Sequence, residues 1–313
     1  MFDGRWKRRI EVDLESRLST FSIVTYDPAN GDLGVGVQSK YFSVGPVVPW
    51  AEAGVGAIAT QAWVNVSYGP KGLTLLKEGL PVEEVIRILT ENDEGRERRQ
   101  LGVIDANGNS ASYTGSECTP WAGSRQGENY SVQGNILEGE KVVVAMAEAF
   151  ESSVGELAER LVAALEAGQE AGGDARGRQS AALLVVRDGA GRAGYGDKYI
   201  DLRVEDHRTP IRELRRLLNM NFSNTQAFMA QGLMEEGKAD EAMDLAFKAV
   251  ELSPENDNAH MALCRAKFET GDKPGAIEAF REAVNLNEKI ASYVMRSPLW
   301  IFIAEDEDFL KGM

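Results

Sequence analysis

A threonine and a lysine, Thr20 and Lys40, are the first pair of residues whose types and spacing could do chemistry. Thr20 opens an alternating run, TFSIVTYD, and Lys40 follows a second run, LGVGVQS, with Pro28, Asn30 and Gly31 between the two. Alternation with a period of two is typical of half-buried strands, and Asn-Gly tolerates the positive φ of a tight turn. The pattern predicts a hairpin that brings Lys40 back towards Thr20. A hydroxyl beside an amine is a recognised way to activate an alcohol as a nucleophile.

Further polar residues could bind a substrate near that pair. They stand in loops and strands rich in small residues: Ser39, Gln61, Asn65, Asp174, Arg176, Gln179 and Ser180. Amides and hydroxyls can donate hydrogen bonds to an oxyanion, and an arginine can hold a carboxylate with two hydrogen bonds. The alternative is that these residues satisfy turns and caps, that Thr20 is an ordinary strand residue, and that Lys40 is a solvated strand end.

Seven blocks in order over about 200 residues closely resemble the bacterial family called domain of unknown function 1028. They are TFSIV at 20–24, LGVGVQSKYFSVG at 33–45, PWAEAGVGAIATQA at 49–62, SYGPKGL at 67–73, RQLGVIDANG at 99–108, YSVQGNIL at 130–137 and AGGDARGRQSAALLVVR at 171–187. That family looks like the N-terminal-nucleophile (Ntn) hydrolases, so the resemblance implies a four-layer αββα fold. In such enzymes the free amine of the threonine serves as base for its own hydroxyl. The resemblance thus implies that Thr20 is a nucleophile.

The residues before Thr20 depart from the family pattern, because its members typically begin with Met-Thr. In residues 1–19, apolar side chains recur at four-residue spacing, which predicts one face of a helix: Trp6, Ile10, Leu14 and Leu18. One interpretation is a docking helix or a cloning-related extension. The other is a propeptide cut between Ser19 and Thr20, which would free the amine.

The sequence from about Asn221 onwards repeats with a period of 34 residues. Small residues recur at this distance in three pairs: Gly237 and Gly271, Ala242 and Ala276, and Ala249 and Ala283. This arrangement resembles the tetratricopeptide repeat. We assign repeats at 223–256 and 257–290 and predict a capping helix over 297–310. Two repeats are fewer than the three usually needed for stability, so we expect support from the cap, the N-terminal domain or another copy in a homo-oligomer.

The composition narrows the classes of function. The 313 residues carry a net charge of −15, which argues against nucleic-acid binding. Neither a membrane-spanning apolar run nor a signal peptide is evident. Two cysteines and two histidines do not suggest a disulfide framework, a metal site or a Ser-His-Asp triad, and a reducing compartment fits them. Because no phosphate-binding or dinucleotide motif matches, we predict no cofactor.

Together these patterns predict an α+β chain, in which an Ntn-hydrolase-like αββα sandwich is followed by an all-α tetratricopeptide-repeat domain. The predicted parts are an extension over 1–19, the sandwich over 20–220 and the repeat domain over 221–313. The leading interpretation is a cytoplasmic amide hydrolase that acts on a small amide-type substrate through Thr20, with support from Lys40 and the 174–180 loop. The alternative is a non-catalytic scaffold or ligand-binding protein whose repeats bind a peptide. With 17 acidic and nine basic residues, the repeat domain should attract basic partners.

Overall fold

The computed structural model describes residues 17, 18 and 20–312 of the chain. The chain forms two compact units that divide between Arg215 and Arg216, slightly before the predicted boundary at 220/221. The helix predicted over 1–19 lies outside the described residues, except at Arg17–Leu18, which form a short strand.

The first unit contains two antiparallel sheets. Its described strands are, in chain order, β1 (Arg17–Leu18), β2 (Thr20–Asp27), β3 (Asp32–Ser39), β4 (Pro49–Glu52), β5 (Gly56–Trp63), β6 (Arg99–Asp105), β7 (Ser110–Thr114), β8 (Gly123–Gly127), β9 (Tyr130–Asn135), β10 (Ser180–Val186) and β11 (Lys198–Val204). The six-stranded sheet has the order β11-β10-β3-β2-β9-β8. The five-stranded sheet has the order β1-β5-β6-β7, and β4 also pairs with β5. The predicted hairpin is therefore the centre of the six-stranded sheet.

Helices cover the outer face of each sheet. They are α1 (Tyr68–Lys77), α2 (Val82–Glu91), α3 (Lys141–Ser152) and α4 (Leu157–Glu170), with 3₁₀ turns at Arg96–Arg98 and Arg192–Gly194. A Cβ at Gly34 of β3 would lie 2.6 Å from Leu161 Cδ1 of α4, and one at Gly72 of α1 would lie 2.4 Å from Ile58 Cδ1 of β5. A larger residue at either position would have to displace that methyl group, so the two glycines allow the helices to approach the sheets closely. The predicted order of helix, sheet, sheet and helix is confirmed.

The inner faces of the two sheets enclose an apolar core at one end of the hairpin. Val24 and Val35 lie opposite each other on β2 and β3, and both are fully buried. They pack in one cluster with Ala57, Ala59 and Ile104 of the five-stranded sheet. Burying a valine side chain contributes about 1.5–3 kcal/mol. This core holds the hairpin against the second sheet and so determines where its Thr20 end lies.

The second unit is helical. The helix α5 (Pro210–Glu235) begins before the unit boundary and is followed by α6 (Ala239–Leu252), α7 (Asp257–Glu269), α8 (Lys273–Leu286), α9 (Lys289–Val294), α10 (Ile301–Ala304) and α11 (Glu307–Gly312), with a 3₁₀ turn at Pro298–Trp300. The four helices predicted for the two repeats correspond to α5 to α8. The prediction of one continuous capping helix over 297–310 was wrong. The Asp306 carboxylate accepts the backbone N–H of Phe309 at 2.9 Å, a cap that starts a new helix there.

The repeat helices meet at the predicted small residues. Ala242, Ala249, Ala276 and Ala283 are all fully buried in one apolar cluster. At such positions a larger side chain has no free volume to occupy, because protein interiors are close-packed.

We expect Ala276→Leu to lower the free energy of unfolding by about 1–3 kcal/mol through overpacking. Glu278→Leu is the matched control, because Glu278 is exposed on the same helix. Its effect should stay within about 0.5 kcal/mol. Urea denaturation of the full chain measures both. Equal effects of the two variants would contradict the assigned contact.

Candidate functional site

Thr20 begins β2, and the register of the sheet places it beside polar residues on both neighbouring strands. It lies opposite Ser39 on β3 and Asn135 on β9, while Ser39 lies opposite Ser180 on β10. Each of these four residues is at most 1% exposed. Thr20 Oγ1 donates to Ser39 Oγ at 3.2 Å. We call Asn135, Thr20, Ser39 and Ser180 the polar row.

Buried side chains from both sheets form a hydrogen-bond network next to the polar row. Gln61 Nε2 donates to Gln100 Oε1 at 2.8 Å, and Ser22 Oγ donates to Gln61 Oε1 at 2.7 Å. Gln133 Nε2 completes the link by donating to the same Ser22 oxygen at 2.7 Å. A Cβ at Gly102 would lie 2.2 Å from Gln133 Oε1, so this glycine makes room for the amide. We call Ser22, Gln61, Gln100 and Gln133 the glutamine network.

Two hydrogen bonds connect the glutamine network to the polar row. Asn135 Nδ2 donates to Gln100 Oε1 at 2.9 Å, and Gln61 Nε2 lies 3.4 Å from the carbonyl oxygen of Thr20. All of these side chains are neutral amides or hydroxyls. The row and the network therefore surround Thr20 with polar groups that carry no formal charge.

The nitrogen of Thr20 is a peptide amide in this chain, because Ser19 precedes it. Just upstream, Arg17 and Leu18 pair with Trp63 and Ala62 of β5. The threonine is thus an internal residue, with its hydroxyl buried and its nitrogen acylated.

Lys40 directly follows the residue that lies opposite Thr20, and its own hydrogen bonds go to the 174–180 loop. Its backbone N–H donates to Asp174 Oδ2 at 2.8 Å, and its Nζ donates to Gln179 Oε1 at 3.4 Å. Among the described residues, no hydrogen bond or ion pair joins Lys40 to Thr20, whose hydroxyl is bonded to Ser39. The hairpin forms as predicted, with Ser39 opposite Thr20 and Lys40 one residue beyond.

Three predicted binding residues hold the loops at the end of β3. The carboxylate of Asp174, which is 2% exposed, accepts the backbone N–H of Arg176 at 2.8 Å and pairs with its guanidinium at 3.4 Å. Ser180 Oγ donates to the carbonyl of Tyr41 at 2.5 Å and accepts the backbone N–H of Val44 at 3.1 Å. These contacts hold the two loops next to Ser39 and Ser180, the last two residues of the polar row.

Asn65 belongs to a different cluster, centred on Asp93. The Asp93 carboxylate accepts hydrogen bonds from Asn65 Nδ2 at 3.2 Å, the Tyr68 hydroxyl at 2.7 Å and Arg99 Nε at 2.9 Å. Burial raises the pKa of Asp93, but the hydrogen bonds from Arg99 and Tyr68 outweigh burial and hold the pKa well below its usual range. Burial and the bond to Asp93 raise the pKa of Tyr68. Asn65 therefore serves this ion-paired cluster, and no hydrogen bond of the described chain links it to Thr20.

Three further features of the described residues concern a reactive thiol, a metal site and a membrane-spanning helix. Burial raises the pKa of Cys118 to about 11 and that of Cys264 to about 12, so neither thiol is ionised near neutral pH. Within the described residues, no group of three His, Cys, Asp or Glu side chains could hold a metal ion. None of the described helices combines the length and apolarity needed to cross a membrane.

Gln100 was not predicted from the sequence, and Gln133 and Asn135 were predicted only as possible donors to an oxyanion, not as part of a network between the sheets. Gln133 and Asn135 alternate with apolar or small residues in YSVQGN, a pattern that also fits a strand with one solvated face. Gln100 carries no signal beyond being a polar residue near the start of a strand. Only the packing of two sheets brings the three amides together.

We expect Gln133→Met and Gln38→Met to change stability in opposite directions. Gln38 is fully buried on the α4 side of the sheet, and neither amide atom has a hydrogen-bond partner among the described residues. Replacing it should raise the free energy of unfolding by about 1 kcal/mol, since an unsatisfied buried amide is removed. Replacing Gln133 removes the acceptor of the Ser131 hydroxyl and one of the two amide partners of Ser22, and should lower the free energy of unfolding by about 1–3 kcal/mol.

Thermal or urea unfolding of the two variants checks this pair. Both substitutions replace glutamine by methionine of similar volume in a β-strand, so each is the other's control. Equal destabilisation would contradict the assignment of Gln38 as unsatisfied.

The fold and the site define the class of the protein: two antiparallel sheets between helices, with a buried polar row at the start of a central strand, joined to helical repeats. A family model described as "Family of unknown function (DUF1028)" matches residues 20–214. This match spans more than half of the chain, and the chain belongs to that family. A second model, described as "Tetratricopeptide repeat", matches residues 233–292. Both resemblances predicted from the sequence are confirmed.

A solved structure agrees with this assignment. The crystal structure of protein SPO2555 from Silicibacter pomeroyi, of the same family, is 34% identical in sequence and superposes with a TM-score of 0.59. The similarity covers 64% of this chain and 84% of that one. No curated protein matches the chain.

Proposed function

We propose that the first unit is a latent amide hydrolase in which Thr20 attacks a small amide-type substrate once its amine is free. The observation that carries this proposal is the position of Thr20. It is the first residue of a central strand, it heads the polar row, and the family match begins at this residue.

The chemistry follows from freeing the nitrogen of Thr20. Its amine would accept the hydroxyl proton, Oγ1 would attack the substrate carbonyl, and the amine would return the proton to the departing nitrogen, leaving an ester on Thr20. Water, deprotonated by the same amine, would then cleave this ester, release the acid and restore the hydroxyl. An α-amino group ordinarily has a pKa of about 7.7–8.0. Burial among the neutral side chains of the polar row and the glutamine network disfavours the ammonium form and lowers that pKa. The amine would then be neutral, and so basic, near pH 7.

The surrounding residues have supporting roles in this proposal. Ser39 Oγ lies 3.2 Å from the proposed nucleophile and can donate to the oxyanion that forms on attack. Gln61, which already reaches the carbonyl of Thr20, holds the strand end in place. Lys40 and Gln179 bind each other beyond Ser39, where their effect on the reaction would be electrostatic rather than direct. A cut between Ser19 and Thr20 is the step that converts the latent form.

We expect a chain that begins at Thr20 to form a covalent ester with a β-lactone, an electrophile that acylates activated threonine hydroxyls. The full chain should remain unmodified, because its Thr20 amine is blocked. Intact-mass analysis after equal exposure measures the adduct.

Two variants of the shortened chain serve as controls. Thr20→Ala should abolish the adduct, and Thr25→Ala, which removes another fully buried hydroxyl from the same strand, should retain it. An unmodified Thr20-initiated chain that is folded by circular dichroism would contradict the proposed nucleophile.

A second candidate function, peptide binding, is favoured by a groove in the repeat unit. The groove has a volume of about 380 Å³ and is lined by residues of α5, α7 and α9 and of the turn before α10. Met261, Ile290 and Trp300 are buried in it, whereas Tyr293 and Leu299 are 52% and 65% exposed. Tetratricopeptide repeats are interaction modules, and solenoids bind partners along such surfaces. The excess of acidic residues in this unit favours a basic peptide.

Selection from a displayed library of random peptides against the full chain should enrich basic sequences with apolar anchors. We expect Tyr293→Ser to weaken binding of a selected peptide about tenfold, which is typical of losing an aromatic anchor. Leu286→Ser is the control, because Leu286 is exposed but does not line the groove. Binding should also weaken as salt rises.

Failure to enrich any peptide, or equal binding by both variants, would contradict peptide binding in this groove. Sedimentation of the full chain tests the expected homo-oligomer separately. If a second copy occupies the groove, Tyr293→Ser should shift the chain towards monomer.

A further inference from the structure

A cleft at the Ser39 end of the six-stranded sheet gathers positive charge on an acidic chain. It is lined by Lys40, Arg178, Gln179, Asp206, His207, Arg208 and Thr209. We call it the arginine cleft. Because the whole chain carries a net charge of −15, a group of three cationic side chains around one opening differs from the charge of the chain as a whole.

The arginines of this cleft have no carboxylate partner among the described residues. This holds for Arg178 and Arg208, and also for Arg212 in an adjoining cleft that shares Arg178 and Thr209 and is lined in addition by Glu166 and Glu170. Elsewhere in the same unit, arginines are paired with acids: Arg187 with Asp32, Arg203 with Asp201, and Arg215 with Glu166. The guanidinium groups at the cleft are therefore available to a ligand.

The polar groups of the cleft are oriented by hydrogen bonds. His207 Nδ1 accepts the backbone N–H of Thr209 at 3.0 Å, so in the neutral ring the proton is on Nε2, which remains a donor. Gln179 Nε2 donates to Asp206 Oδ1 at 3.1 Å, so the carboxylate that lines the cleft accepts a hydrogen bond from the neighbouring amide. The helix α5 starts beside these residues, and its N-terminal end adds partial positive charge.

The arginine cleft is connected to the polar row through one residue. The backbone N–H of Gln179 donates to the carbonyl of Ser39 at 3.0 Å, and the carbonyl of Gln179 accepts the N–H of His207 at 2.8 Å. A group bound in the cleft would consequently lie at the same end of the sheet as Thr20.

We propose that the arginine cleft binds an oxyanion, the carboxylate or phosphate group of a small organic molecule. Guanidinium groups bind both with paired, charge-assisted hydrogen bonds. Binding at this site needs no free amine at Thr20, so a negative result for the proposed hydrolase would not exclude oxyanion binding. If the hydrolase is also correct, the cleft selects substrates that carry a negative charge.

Isothermal titration of the full, uncleaved chain with inorganic phosphate and with succinate, at constant ionic strength set with chloride, tests this site. We expect saturable binding of at least one of the two. Tighter binding of phosphate identifies a phosphorylated ligand, and tighter binding of succinate identifies a carboxylate.

Variants establish where the ion binds. Arg178→Gln and Arg208→Gln should each weaken binding about tenfold, since each removes charge-assisted hydrogen bonds. Gln179→Glu, which keeps the shape but adds a negative charge, should weaken it as well. Lys248→Gln removes one charge from an exposed site in the other unit and should leave binding unchanged.

Absence of saturable binding by both ions would overturn the proposal. So would equal weakening by Arg178→Gln and Lys248→Gln, because that result would reflect net charge alone. Circular dichroism establishes that each variant is folded, and Gln179→Glu provides an independent reading if an arginine variant is not.

Discussion

The first unit depends on one constraint, the mutual satisfaction of buried amides between its two sheets. An unsatisfied buried polar group costs about 1–3 kcal/mol, so Gln61, Gln100 and Gln133 stabilise the fold only when they meet in register. Glycine at position 102 lets Gln133 reach across from the six-stranded sheet. Because the same network reaches the carbonyl of Thr20, the contact that aligns the sheets also holds the proposed nucleophile.

The neutrality of this network shapes the proposed chemistry. A charged neighbour would make the pKa of a freed amine depend on whether that neighbour is protonated. Buried amides and hydroxyls change the pKa mainly by excluding water from the amine. Charge is instead found one step further out, where Lys40 meets Gln179 and where Arg178 and Arg208 line the arginine cleft. The arrangement separates the neutral surroundings of the proposed nucleophile from the cationic cleft proposed to bind an oxyanion.

The sequence predicted elements well where local signals and short-range geometry decide the outcome. The turn at Asn30-Gly31 predicted the hairpin, and the 34-residue period predicted the repeat helices and the buried Ala276. Contacts that depend on register or on packing between sheets were not predicted. The register gives Thr20 the partner Ser39, with Lys40 one residue beyond, and Gln100 becomes central only when β6 faces β9.

The central claim is that the buried neutral surroundings of Thr20 would make its freed amine a base near pH 7. Titrating that amine by NMR, in a chain that begins at an isotopically labelled Thr20, tests the claim most directly. We expect a pKa below the ordinary range of about 7.7–8.0, because burial disfavours the ammonium form. A pKa at or above that range in the folded chain would contradict it.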